Sequence, residues 1–424
     1  MTAHTPRIFT EGETALFEAF ESAKFAADVV PHKARTAAIE ALKANGLPTK
    51  RVEAYHYTDL RALLRGAFTV AERPSKGAAE QAGSAFPRLV DGAAVLHFRD
   101  GHFFDMGEAM PDGVSFQPMQ IGDEVATDTA NALEQISTAF ANSAVSLTVA
   151  ENTTVDQTIG LASTPTGETI GAHRVSVRVG AGSKCRLIER SVGKDDSAYC
   201  QSSIVDLDVA DGAEVSYILS LEDGDAATRL GRLNVRIGKD AQFNLFVANL
   251  GGRVARQELN FDMAGENAQL DIAGFNLIGG DAHLDITSRI THHVPHCNAT
   301  ELFRNVATGK GSGVFQGQIN VAQPAQKTDA RMACNTLLLS DQAEFSAKPE
   351  LEIFADDVQC GHGATLADIE NTYMFYLQAR GISEKRAREL LVRAFVAEVI
   401  ENLEDEALVE RLEARMDVWM ERHV

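Results

Sequence analysis

The sequence contains no long apolar run, and this absence sets the first limits on its function. Nowhere in the 424 residues does an apolar stretch approach the ~18 residues that a membrane-spanning helix needs. The opening residues also lack the basic and apolar regions of a secretory leader. With 45% hydrophobic and 23% charged residues, the composition is that of a soluble globular protein. We therefore expect a cytoplasmic protein that has no membrane contact.

Cysteine is scarce, and the few cysteines are scattered. There are five, an odd number, and no two are spaced as Cys-x-x-Cys. This argues against a disulfide framework and against a zinc knuckle contained in this chain. The five are Cys185, Cys200, Cys297, Cys334 and Cys360.

Positive charge and nucleotide-binding motifs are lacking as well. The formal net charge of -21 argues against nucleic-acid binding, because phosphate contacts need a basic face. Near Gly309, a phosphate-binding loop would need Gly where Arg304 stands and Ser or Thr where Gly311 stands. We expect this chain to bind no nucleotide, so a partner must supply any ATPase activity.

What the sequence does contain is a long series of predicted strands. A unit of the form Ala-x-apolar-x-apolar begins at Ala213, Ala241, Ala268 and Ala282, at intervals of 28, 27 and 14 residues. A period near 27 with a half-period indicates two strands in each coil of a solenoid. A parallel β-helix fits this pattern best, and a β-sandwich is the structural alternative.

The periodicities divide the chain into four segments. We predict an N-terminal helical region over residues 1–66 and a connector with short strands over 67–140. The β-helix core is predicted over 141–347. A C-terminal segment over 348–424 carries a polar turn followed by a helical domain.

The C-terminal segment shows a wide apolar stripe at helical spacing. Leu390, Leu391 and Phe395 belong to this stripe, and Ser383 is a candidate N-cap. The simplest interpretation is a helical cap over the open end of the solenoid.

A candidate site lies in the polar turn over residues 356–363. Cys360 and His362 stand two residues apart, which on an extended backbone places a thiol and an imidazole on one face. Metal sites need three or four ligands, so on spacing alone a packed thiol and a structural histidine fit better than a metal site.

Several motifs, taken together and in order, resemble the SufB/SufD family of iron-sulfur cluster assembly proteins. The Cys-x-His-Gly form at 360–363 is similar to that of the SufD members. Tyr55 and His56 depart mildly from the N-terminal signature, in which Trp and a basic residue are expected. The motifs that carry the resemblance are residues 317–321, 325–330, 335–340, 349–353, 356–363 and 375–382.

The resemblance implies a fold, partners and a role. The fold would be a right-handed β-helix with flanking helices. The chain would be a non-catalytic subunit that pairs with a SufB-like paralogue through its C-terminal coils. His362, and with it Cys360, would face partner ligands around a transient iron-sulfur cluster. Lys327, Thr328 and Asp329 lie in the same region and would shape that interface, although a role only in the turn and in surface ion pairs fits them at least equally well.

The resemblance also implies a second partner and a further cofactor. The C-terminal helical region, with the stripe that carries Leu390, Leu391 and Phe395, would contact a SufC-like ABC-type ATPase. The assembled complex would hold a reduced flavin, and the sequence leaves open whether the flavin touches this chain. It also leaves open whether the isolated chain forms a homodimer.

A second group of candidate ligands is formed by His292, His293, His296 and Cys297. Soft and borderline metals accept such ligands, but adjacent histidines on a strand point to opposite faces and Pro295 forces a turn. We interpret this group as architectural. Two other functions stay open: a purely structural interaction protein with no metal role, and a β-helix carbohydrate-active enzyme.

Overall fold

The computed structural model describes residues 8–66, 68–122, 131–194, 196–403 and 405–424. The first seven residues, on which the expectation about a leader partly depends, lie outside these ranges. Within them, no helix is both long enough and apolar enough to cross a membrane.

Three α-helices lie at each end of the described chain, and α4 and α5 lie among the first strands. A 3-10 helix spans Glu53–Tyr55. The α-helices are α1 (Glu11–Ser22), α2 (His32–Asn45), α3 (Leu60–Leu63), α4 (Lys76–Ala85), α5 (Ala132–Phe140), α6 (Asn371–Ala379), α7 (Glu384–Ile400) and α8 (Glu406–His423).

The strands lie between Thr69 and Ala367. They are β1 (Thr69–Val70), β2 (Ala94–Arg99), β3 (His102–Phe104), β4 (Val114–Pro118), β5 (Ala141–Val149), β6 (Ile159–Ser163), β7 (Thr169–Val179), β8 (Lys184–Val192), β9 (Cys200–Val209), β10 (Glu214–Glu222), β11 (Thr228–Ile237), β12 (Gln242–Asn249), β13 (Val254–Met263), β14 (Gln269–Ile278), β15 (His283–His292), β16 (Asn298–Ala307), β17 (Ser312–Val321), β18 (Asp329–Leu338), β19 (Glu344–Ile353) and β20 (Gln359–Ala367).

Successive strands alternate between two long sheets, so the chain winds as a parallel β-helix. Sheet I joins β4 to β5 and then the odd-numbered strands to β19, with β1 beside β7. Sheet II joins β3 to β2 and then the even-numbered strands from β6 to β20. From β5 onward each strand pairs in parallel with the strand one coil away. This confirms the predicted solenoid and excludes the sandwich.

The predicted repeat corresponds to one coil. Glu214 pairs with Gln242 and Gln242 with Gln269, which gives steps of 28 and 27 residues. Ala213, Ala241 and Ala268 are fully buried at the corners before these strands. A small side chain fits there, because the chain turns tightly into the next strand. Strand residues then alternate between the lumen of the solenoid and its outer surface.

The two ends of the solenoid differ. At the N-terminal end, β4 pairs antiparallel with β5 and the short β3 pairs antiparallel with β2. At the other end, β19 and β20 are the last strands of their sheets, and each pairs on one side only. The strands thus continue past residue 347, where the sequence analysis had placed the end of the core, to Ala367.

The helices pack on the flanks of the solenoid. Helices α1, α2 and α5 form an apolar cluster on the outer face of sheet I, including Leu16, Ile39 and Phe140. Helices α7 and α8 pack on the outer face of sheet II, where Val392 and Val396 join the cluster. The expectation that the C-terminal helices cap the open end is wrong, because their apolar stripe is buried against the outer face of sheet II.

Candidate functional site

Cys360 and His362 lie on the terminal strand β20, after the turn rather than within it. Pairing with β18 sets Cys360 beside Ala330 and His362 beside Met332. Ala330 and Met332 are buried in the lumen-facing core. Since paired residues in a parallel sheet share a face, both candidate ligands face the lumen side of the last coil. The spacing argument from the sequence holds: thiol and imidazole are on one face.

The two side chains are accessible because no coil follows β20. His362 is exposed and Cys360 is half-buried. Met332, which pairs with His362 one coil inward, is 3% exposed. This partial burial raises the pKa of the Cys360 thiol, and the nearby Asp329 carboxylate raises it further. The Cys360 thiol is therefore protonated at neutral pH.

Among the described residues, no group of three or more His, Cys, Asp or Glu side chains is arranged to hold a metal ion. Cys360 and His362 are thus at most part of a ligand set. A soft thiolate and an imidazole both suit iron, so ligands from a second chain would have to complete the coordination.

The open end is surrounded by exposed apolar side chains. The edge strands and their adjoining turn contribute Ile353, Phe354 and Leu366, which are between 40% and 64% exposed. Helix α6 has no buried residue and exposes Tyr373, Phe375 and Tyr376. Unpaired strand edges next to apolar side chains are the features of a surface that another protein covers.

The turn before β18 holds the three residues that the resemblance assigned to the interface. Lys327 is exposed, forms an ion pair with Asp357, and donates its backbone N–H to the Asp357 carbonyl at 2.6 Å. Asp329 begins β18 and pairs with Arg331 at 3.2 Å. Thr328 is 1% exposed and its hydroxyl donates to the Ala325 carbonyl at 2.9 Å. Thr328 therefore shapes this turn and offers no side chain to a partner.

The C-terminal apolar stripe divides between buried and accessible residues. Leu390, Leu391 and Phe395 are all partly exposed on α7. Phe395 lies under the Arg304 guanidinium, 5.2 Å from the ring centroid, so part of its surface is used within the chain. Leu390 and Leu391 are therefore more available to another protein than Phe395 is.

The histidine-rich group is a corner of the solenoid. His292 is buried and burial lowers its pKa to about 4, while His293 is exposed and pairs with Asp262 at 3.1 Å. His296 has a φ of 64° and occupies the left-handed turn position that Asn267 and Lys327 occupy in neighbouring coils. The group is not arranged as a metal site.

A buried carboxyl in the lumen near the open end was not predicted from the sequence. Glu301 on β16 is 2% exposed and is paired with Met332, which is paired with His362. It accepts a hydrogen bond from Ser288 at 3.0 Å, and burial raises its pKa to about 7. The alternation of Ala299, Glu301 and Phe303 could have indicated this lumen position.

A buried ionic network under the N-terminal helices was not predicted from the sequence either. Arg256, fully buried, pairs with Asp285 and with Glu258, the latter at 3.1 Å. Its guanidinium lies 3.9 Å from the centroid of the Tyr55 ring. Thr58 donates to Asp285. Tyr55, one of the departures from the family signature, thus anchors the N-terminal region to sheet I.

Comparison with known proteins agrees with this architecture. Residues 162–395 match the SUF system FeS cluster assembly SufBD core domain, and residues 14–84 match the SufBD protein N-terminal region. The iron-sulfur cluster assembly protein SufD of Escherichia coli is 29% identical over 396 residues, covering 89% of this chain and 90% of that protein.

Other relatives align over part of the chain. ABCI7, a chloroplast protein of Arabidopsis thaliana, is 31% identical over 230 residues, which cover 54% of this chain and 48% of its own length. A SufBD family protein of Synechocystis is 29% identical over 214 residues, or 50% and 47% of the two chains. With a matching core domain over more than half of its length, the chain belongs to the SufBD family of iron-sulfur cluster assembly proteins.

Proposed function

We propose that this chain is a non-catalytic subunit of a SufBCD-type scaffold. It pairs with a SufB-like paralogue through the open end of its solenoid, and a nascent iron-sulfur cluster forms between the two chains. His362 supplies one ligand and Cys360 a second, and the partner supplies the rest. The cluster is cargo that the complex passes on.

The observation that carries this proposal is the position of Cys360 and His362. Both lie on the one strand of sheet II that ends in an unpaired edge at the open end. A partner that pairs with this edge would bring its own ligands to the same mouth of the lumen. The exposed Phe354 and Leu366 would be buried by the same contact.

The C-terminal helices are the proposed contact for a SufC-like ATPase. Helices α7 and α8 are fixed to the flank of sheet II, partly through the ion pair of Arg186 with Asp405 at 2.6 Å. Leu390 and Leu391 stay partly exposed on this rigid support. A nucleotide-driven movement of the ATPase would thereby be transmitted to the solenoid and its open end.

The test is anaerobic cluster reconstitution in the complex with the SufB-like and SufC-like partners, with and without reduced flavin. Wild type is compared with His362→Ala and with the control His293→Ala, which removes an exposed histidine from the corner between β15 and β16, two coils before β20. Visible absorption and Mössbauer spectra report the cluster, and size-exclusion chromatography reports assembly.

We expect His362→Ala to lose cluster while the complex stays assembled, and His293→Ala to behave as wild type. A cluster unchanged in both His362→Ala and Cys360→Ser would reduce the chain to a structural interaction protein. Edge pairing also predicts that the isolated chain forms a homodimer, which sedimentation velocity measures.

A carbohydrate-active function gains no support from the acids on the outer face. Asp206 pairs with Arg174 at 2.7 Å and Asp208 with Arg236 at 3.3 Å. Asp271 accepts a hydrogen bond from Thr300. Each of these carboxylates is engaged by a neighbouring coil rather than grouped in a cleft.

A further inference from the structure

The exposed apolar side chains of the open end form two separate sets. The first set is Ile353 and Phe354, at the end of β19 and the start of the turn into β20. The second set is on helix α6, which follows the other end of β20 and exposes Tyr373, Phe375 and Tyr376. The nine residues of β20 separate the two sets by about 26 Å, at about 3.3 Å per residue. One set is therefore too far from the other to cover it within the same chain.

Helix α6 is apolar, yet the chain itself covers little of it. Its nine residues, Asn371–Ala379, carry no charge, and none of them is buried. Met374 and Phe375 line an open groove of about 480 Å³ between α6 and the corner that follows β18. An isolated helix of this length is marginally stable in water, and exposed apolar surface of this kind marks a protein contact. We therefore expect another chain to cover α6.

The charges beside the two apolar sets have opposite signs. The turn that follows Phe354 carries Asp356 and Asp357, both exposed, of which Asp357 is already in an ion pair within the chain. Arg380 directly follows α6 and is exposed, and its guanidinium lies 5.0 Å from the centroid of the Tyr376 ring. The acids that precede α6 lie at its opposite end, next to β20. The acidic turn and the basic end of α6 are thus complementary in charge as well as in apolar character.

Complementary surfaces at two places on one chain are the requirement for a symmetric dimer. In such a dimer each residue of one set contacts the other set of the second copy, and the contact occurs twice. A two-fold axis perpendicular to sheet II makes the two copies of β20 antiparallel and keeps both lumens on the same side. When the strands overlap fully, Gln359 of one chain lies opposite Ala367 of the other. The helix that follows Ala367 is then beside the turn that precedes Gln359 of the second copy.

We propose that, in a symmetric dimer of this chain, α6 packs over the turn that carries Phe354 of the second copy. The Tyr376 ring packs against this Phe354, and Arg380 faces Asp356 of the second copy. The dimer covers the mouth of the lumen, so it is a closed form that must separate before a SufB-like paralogue can pair with β20. This inference deepens the proposed function, because it concerns the same open end, but it is tested without either partner.

The test is sedimentation velocity on the isolated full-length chain over a range of concentrations. Phe354→Glu and Tyr376→Lys each alter one side of the contact, and they are measured separately and as an equimolar mixture. Val418→Glu, which alters an exposed apolar residue of α8, is the matched control. Circular dichroism verifies that all three variants are folded.

We expect the wild type and Val418→Glu to dimerise equally, and Phe354→Glu and Tyr376→Lys each to dimerise about tenfold more weakly. The mixture should recover most of the wild-type affinity, because its heterodimer has one unaltered contact and one in which the introduced acid faces the introduced base. Within one chain the two positions are too far apart for such a recovery.

Three results would each overturn the proposal. They are a wild-type chain that stays monomeric, a Tyr376→Lys chain that dimerises as well as wild type, and a mixture that dimerises no better than the single variants. Cluster formation in the complex with the SufB-like and SufC-like partners is measured separately, so the failure of either proposal is distinguishable from the failure of the other.

Discussion

Glu301 makes the stability of the solenoid depend on pH in a direction opposite to that of most carboxylates. Burial raises its pKa from the ordinary value of 4.5 to about 7, so the folded state binds a proton that the unfolded state releases. The full free energy of unfolding is therefore present below about pH 4.5, where Glu301 is protonated in both states, and part of it is lost as the pH rises to about 7. At 1.36 kcal/mol per pKa unit, the total loss is about 3 kcal/mol.

The variant Glu301→Gln isolates this contribution because it is neutral at every pH. Between about pH 5.5 and about pH 8, roughly 2 kcal/mol of the loss is expected to disappear in the variant. Any pH-independent effect of the amide on the free energy of unfolding cancels, because only the change of that free energy with pH is compared. The range avoids the pI near 5.0, where the protein is least soluble.

The assay is urea unfolding followed by far-UV circular dichroism at a series of pH values. The quantity compared is the difference in unfolding free energy between wild type and variant at each pH. Glu266→Gln, in an exposed turn, is the control and should show no such trend. A difference between wild type and Glu301→Gln that stays constant across the range would mean that Glu301 ionises as an exposed carboxylate does, and the assignment of its burial would fail.

Two further predictions concern the N-terminal anchor and the open end. Arg256→Ala should lower the unfolding free energy by about 3–5 kcal/mol, because it leaves Asp285 buried without its cation, whereas Arg236→Ala, which breaks an exposed pair, should cost at most about 1 kcal/mol. Equal losses in urea unfolding would contradict this. Leu366→Lys should weaken pairing with the SufB-like partner by about tenfold in analytical ultracentrifugation and leave the isolated fold unchanged. Undiminished pairing would exclude β20 from the contact.

The repeat of Ala213, Ala241 and Ala268 favoured a solenoid, because each coil must satisfy the same corner, and the family resemblance decided between the solenoid and the β-sandwich. It could not predict where the C-terminal helices pack. An apolar stripe such as that of α7 indicates that one face of the helix is buried, but it does not identify the surface against which that face packs. Both the outer face of sheet II and the open end of the solenoid were possible, and the helix packs on sheet II. Spacing alone also placed Cys360 and His362 on one face, as the register confirms.

The charged residues were the least predictable. Arg256 and Glu301 belong to residue types that usually lie on the surface. Only the register of neighbouring coils shows that Arg256 lies under the N-terminal helices and that Glu301 lies in the lumen. Thr328 was assigned to the interface by its neighbours in sequence, although its hydroxyl is turned into the corner. In a solenoid, contacts follow the stacking of coils, and residues about 30 positions apart determine each environment.

The unequal ends of the solenoid have a consequence for assembly. A rod with two free edges could add further rods without limit, as in a fibre. Here one terminus ends in the short antiparallel strands β3 and β4, of three and five residues, whereas the other ends in the longer parallel strands β19 and β20. If two such rods pair through their long edges, only the short edges of β3 and β4 are left at the outer ends, and short edges are the ones that resist further pairing.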